Sequence, residues 1–185
     1  MIGNPLTGEF KAIAAGLDRP MAALMSNDES KLYVCEYGSG QIVEIRLADG
    51  AKRLVTTGLE GPVSLAIIGN TIYAAEAKLG RISKVDLANG KKEVFLAGVV
   101  GRVGALANDG AGNLLALDSS AGRLLRISLK NLAISVVAMN LPVRYVVTGS
   151  YPGLESPYPL AISPQGDIYI PTGDRGLIML QNVMQ

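Results

Sequence analysis

Apolar residues fall in short runs along this chain, and clusters rich in Gly, Asn and Asp separate them. Leu32–Val34, Ile42–Ile45 and Lys52–Val55 are dominated by Val, Ile, Leu and Tyr. Such runs are too short to pack as helices, and they suit strands. The runs also recur. Gly16-Leu17-Asp18-Arg19-Pro20 precedes Lys31-Leu32-Tyr33-Val34-Cys35-Glu36 and Gly40-Gln41-Ile42-Val43-Glu44-Ile45. Gly58-Leu59-Glu60-Gly61-Pro62 precedes Thr71-Ile72-Tyr73-Ala74-Ala75-Glu76 and Gly80-Arg81-Ile82-Ser83-Lys84-Val85. A third unit runs through Asn113–Asp118 and Gly122–Ile127, and a fourth through Asp167–Ile170 and Gly176–Met179. The leading glycines, Gly16, Gly58, Gly98 and Gly153, are spaced by 42, 40 and 55 residues, so the third interval carries an insertion at Asn140–Pro152.

A period near 40 divided into four short strands is the unit of a β-propeller blade. The strands of the first unit, a to d, are expected over about 20–26, 31–36, 41–47 and 51–57. The whole chain, 1–185, is expected to be one all-β propeller domain with units of about 16–57, 58–97, 98–139 and 140–185 plus a strand in 2–15. Asn4–Gly16 aligns without a gap with Asp86–Gly98, so the chain opens on a d strand with no blade of its own. The fourth unit stops near Gln181 with its d strand missing. Pairing the two is expected to close a ring of four blades and remove its open edges.

Composition narrows the function. The chain has 185 residues, enough to bury a core without a metal or disulfide. Its net charge is +1, which gives no field for nucleic acid or an anionic membrane, and neither is expected as a partner. Histidine is absent, which excludes a Ser-His-Asp triad and His-liganded zinc. Cys35 is the only cysteine. It is expected to be a small buried hydrophobe, since no histidine exists to activate it. No apolar run has the length of a membrane span. Met1–Lys11 shows no signal-peptide pattern, and the compartment is left open.

Gly112-Asn113-Leu114-Leu115-Ala116-Leu117-Asp118-Ser119 with Gly122-Arg123-Leu124 resembles an NHL-type repeat, as do Leu32–Gly38 and Gly166–Ile170. The resemblance extends to the wider group of senescence-marker/gluconolactonase and strictosidine-synthase-like propellers. Such propellers usually have more blades than the four counted here. That leaves a closed four-bladed ring, a fragment, or a partial ring completed by another chain. The gluconolactonase-like members hold a divalent cation over their channel. Glu60-Gly61-Pro62-Val63 is similar to their opening motif, which would make Glu60 a metal ligand, with Ca or another divalent cation. The matching Asn and Asp ligands of later blades are missing.

Strands alternate in direction, so the d-to-a and b-to-c connections share one face. That face collects Asp18, Glu60 and Glu155 before the a strands, Glu36, Glu76 and Asp118 after the b strands, and Asp174. Arg19, Lys78, Arg102 and Arg175 join them, as does the insertion with Arg144, Tyr145 and Tyr151. The repeated acids are expected to accept backbone N–H bonds in the b-to-c turns. The inner a strands read small and apolar, as for a tight ring that fills its own axis.

The expected function is a non-catalytic binding module that presents this loop-rich face to a protein or small ligand, with no cofactor. Its expected binding residues are Arg144, Tyr145, Tyr151, Arg19, Arg102 and Arg175. A divalent-metal-dependent hydrolase of lactones or related esters is the first alternative. An incomplete propeller that self-associates, in place of a monomer, is the second.

Overall fold

The structure is a computed structural model, and it describes residues 2–4, 9–143, 159–172 and 176–181. It is all-β. Strands β1 (Ile2–Asn4) and β2 (Glu9–Lys11) form a hairpin. Blade 1 follows with β3 (Pro20–Met25), β4 (Lys31–Glu36), β5 (Gln41–Arg46) and β6 (Lys52–Thr56). Blade 2 has β7 (Pro62–Ile68), β8 (Thr71–Glu76), β9 (Arg81–Asp86) and β10 (Lys92–Ala97). Blade 3 has β11 (Val103–Asn108), β12 (Asn113–Asp118), β13 (Arg123–Ser128) and β14 (Ile134–Ala138). Blade 4 contributes β15 (Ala161–Ile162), β16 (Ile168–Pro171) and β17 (Leu177–Leu180). Each sheet is an antiparallel meander in chain order, and together they make a four-bladed propeller.

Burial follows the position of each strand within its blade. The second strands β4, β8 and β12 are almost wholly buried, because neighbouring blades cover both of their faces. The outer strands β6, β10 and β14 are largely exposed. Tyr33, Tyr73 and Leu115 occupy equivalent buried positions between blades, and Tyr73 meets Phe95 edge-on at 4.9 Å. Cys35 is fully buried, and burial pushes its thiol up to about 11, so it is an inert core group.

The expected closing pair is not among the observed ladders. Among the described residues, β2 pairs with β1, and β17 pairs with β16 alone. The segment after β2 nevertheless sits where an outer strand of a preceding blade would. Ile13, Ala14 and Leu17 pack on Val34, Val43 and Ile45 of blade 1. The Ile13 carbonyl abuts Gly50 as the Val55 carbonyl abuts Gly90.

Candidate functional site

Three buried carboxylates organise the loop-rich face. Glu36, Glu76 and Asp118 end the second strand of blades 1 to 3. Each accepts from the backbone of the loop that leads into its own inner strand. The Asp18 N–H donates to Glu36 at 3.2 Å and the Glu60 N–H to Glu76 at 2.6 Å. The Gly101 and Arg102 N–H groups donate to Asp118 at 3.3 and 3.4 Å. The turn after the strand supplies the rest. Ser39 Oγ donates to Glu36 at 2.6 Å. Arg81 grips Glu76 through Nε and Nη2 at 2.8 and 2.9 Å, and the Ser83 hydroxyl donates to it as well. Arg123, Ser120 and the Ala121 N–H complete the shell of Asp118. These acids therefore stitch two loops of one blade together. Many of the donors come from the d-to-a loop across the face and not from the b-to-c turn alone.

Burial pushes the Glu76 carboxyl up, but the bonds from Arg81, Ser83 and the Glu60 N–H outweigh it and hold the group below its ordinary range. Asp118 has the same balance, with burial opposed by Ser120, the Gly101 and Ala121 N–H groups and Arg123. A depressed folded-state pKa gives stability that is present above the unfolded value and is lost as pH falls through the folded one. Stability is therefore expected to drop below about pH 4, the ordinary carboxylate range. With no histidine in the chain, no side chain of ordinary pKa changes charge between about pH 5 and 8. Urea midpoints measured from pH 8 to 2 check this, and Glu76→Gln should flatten the acid limb.

The other residues expected at the site are dispersed. Glu60 is exposed, and the fold uses its backbone N–H. Among the described residues, no three of Cys, Asp and Glu gather into a group that could hold a cation. Arg19 has a positive φ of 51°, and its guanidinium lies 5.3 Å from the centre of the buried Tyr37 ring. The Lys78 ammonium lies at the same distance from that ring, so two blades contribute cations to one aromatic group. Arg102 is half-buried at the start of β11, and its carbonyl accepts from the Ser119 N–H at 3.0 Å. Arg144, Tyr145, Tyr151 and Arg175, like Glu155 and Asp174, lie outside the described residues.

The axis is open where a filled centre was expected. A cavity of about 560 Å³ runs between the four inner strands. Its lining extends from Met21, Val63 and Gly104 at their starts to Asn27, Ile67 and Asn108 at their far ends. The reason is side-chain size, since Ala22, Ala23, Ala66, Gly104 and Ala107 leave the space unfilled. A register irregularity recurs at Pro20/Ala22, Pro62/Ser64 and Val103/Ala105, which bends each inner strand at its start. Two polar side chains hold the wall together. Ser64 Oγ accepts from the Leu106 N–H at 3.0 Å, and Asn108 Nδ2 donates to the Ile67 carbonyl at 3.1 Å. No acidic or basic side chain lines the cavity among the described residues.

No protein-family model matches the chain, and no curated protein matches its sequence. Solved structures do match it. A chain of the Kuenenia stuttgartiensis hydrazine synthase is 14% identical with a TM-score of 0.65, over 91% of this chain and 47% of that one. A chain of a nidogen/laminin complex is 13% identical with a TM-score of 0.65, over 89% of this chain and 65% of that one. The chain has a β-propeller fold. A virginiamycin B lyase from Staphylococcus aureus adds to the comparison at 13% identity and a TM-score of 0.61, over 88% of this chain and 55% of the lyase. This propeller thus spans about half to two thirds of the length of each chain it resembles. Identities this low show the fold alone.

Proposed function

We propose that this chain is a non-catalytic binding module that takes a small, uncharged, largely apolar ligand into its axial cavity. The observation that carries this reading is the cavity's combination of size and wall. About 560 Å³ suits a small organic molecule. The wall offers alkyl groups with a few hydroxyl and amide groups, and no charge that an ionic ligand would need to bury against. The carboxylates of the loop-rich face are spent on the fold, so that face serves as a rim. Tyr37 and its two cations stand there, in the same packing cluster as Met21 of the cavity wall. The resemblance to NHL-type repeats supports a presenting role of this kind. The hydrolase alternative rests on Glu60, an exposed carboxylate without a gathered ligand set among the described residues.

Nile red, a neutral apolar fluorophore, tests the cavity directly. Saturable binding to the native protein is expected. Ala23 lines the cavity, and Ala23→Phe should fill it and weaken binding at least tenfold while the far-UV spectrum is unchanged. Ala107→Phe, from another blade, should do the same. Absence of saturable binding, or binding indifferent to both variants, would rule the reading out.

A further inference from the structure

The outer strands of the three complete blades are not protected alike. In blade 1 the register sets Ile45 opposite Lys52 and Glu44 opposite Arg53. In blade 2 it sets Val85 opposite Lys92 and Lys84 opposite Glu93. The corresponding pairs of blade 3 are Ile127 with Ile134 and Arg126 with Ser135. Each charge of the first two edges is also engaged. Lys52 Nζ donates to the Ala15 carbonyl at 2.7 Å, and Lys92 Nζ donates to the Gly58 carbonyl. Arg53 pairs with Glu44 at 2.7 Å and Glu93 with Lys84 at 2.8 Å. In blade 3, Ile134 stands where the lysine pins stood. Arg126 turns to Asp109 instead, at 3.6 Å.

The result is an outer strand, Ile134-Ser135-Val136-Val137-Ala138, with no charge, no proline and three β-branched aliphatic residues. Ile134 and Val136 are 38% and 48% exposed, and Leu132 and Met139 extend the apolar surface at either end. Blade 3 already has its four strands, so its own repeat offers nothing more to pair with β14. An unprotected, β-prone edge is a template for another strand.

We propose that β14 is the edge through which two copies of this chain associate, strand against antiparallel strand. Charge selects the occupant. Two copies meeting through β6 would bring Lys52 and Arg53 against the same cations, and like charges across a ladder destabilise it. Two copies meeting through β14 meet no such repulsion and bury Ile134 and Val136 against each other. The inference is independent of the cavity and its ligand.

Sedimentation velocity across a wide concentration range tests it on the full chain. The wild type should pass from one copy to two. Val136→Lys should weaken association at least tenfold. Leu54 holds the equivalent position in blade 1, and Leu54→Lys should associate like the wild type. Amide exchange on the wild type gives a second readout, in which residues 134–138 gain protection only at concentrations where the dimer forms. A monomer at every concentration would overturn the proposal. So would a dimer weakened equally by both lysine variants, one lost in Met179→Lys and kept in Val136→Lys, or one that leaves exchange at 134–138 unchanged.

Discussion

Replacing Glu76 by alanine is expected to destabilise the protein by about 3 kcal/mol, and to lower the melting temperature by roughly 6–12 °C. Glu76 is fully buried and gathers the Arg81 guanidinium, the Ser83 hydroxyl and the Glu60 N–H. Its loss strands all three. Breaking a buried ion pair from one side costs about 3–5 kcal/mol, and the low end applies because Arg81 is partly exposed and can turn to water. Glu36 is the internal comparison. Gln41 stands opposite it in the ladder where Arg81 stands opposite Glu76. Its printed side-chain partners reduce to the Asp18 N–H and Ser39. Glu36→Ala should therefore cost less, about 1–2 kcal/mol. Urea unfolding followed by circular dichroism separates the two. A Glu76→Ala variant as stable as the wild type would mean that this carboxylate is not needed to hold the face together. It would then be available for ligand chemistry.

The blades were legible because their signals are local. In blade 1, expected strands over about 20–26, 31–36, 41–47 and 51–57 correspond to Pro20–Met25, Lys31–Glu36, Gln41–Arg46 and Lys52–Thr56. Short β-prone runs punctuated by turn residues, repeated at one period, fix such boundaries without reference to tertiary structure. The axis was not legible for the opposite reason. Ala22, Ala23, Ala66 and Gly104 read as residues that let a tight ring close on itself. Whether they meet or leave a void depends on how far apart four inner strands stand. That separation is set by blade packing and by the irregularities at the strand starts, neither of which a local pattern reports. The acids lie between these cases. Their repetition marked them as a set, but their donors lie 16 to 18 residues away in Glu60, Gly101 and Asp18. The grouping of Arg19 and Lys78 on Tyr37 joins loops of different blades, and no spacing in the sequence encodes it.

A matched pair of glycine substitutions measures how firmly the N-terminal segment is seated. Gly50 and Gly90 occupy equivalent turns with φ of 72° and 71°. A Cβ at Gly50 would stand 2.2 Å from the Ile13 carbonyl oxygen, and one at Gly90 would stand 2.2 Å from that of Val55. The left-handed backbone alone costs an alanine about 1–2 kcal/mol, and each clash adds the cost of displacing a carbonyl. Val55 belongs to β6, which is laddered to the rest of blade 1, so it can yield only by disturbing a sheet. Gly90→Ala should accordingly cost about 2 kcal/mol or more. If the Ile13 segment is held as an outer strand of the last blade, Gly50→Ala should cost the same, because its carbonyl has equally little freedom. If the segment rests on blade 1 only through Ile13, Ala14 and Leu17, it can lift away. Gly50→Ala would then cost little beyond the backbone term. Urea midpoints of the two variants, measured side by side, decide between a ring that its own N-terminal segment closes and one whose fourth blade ends on an open strand.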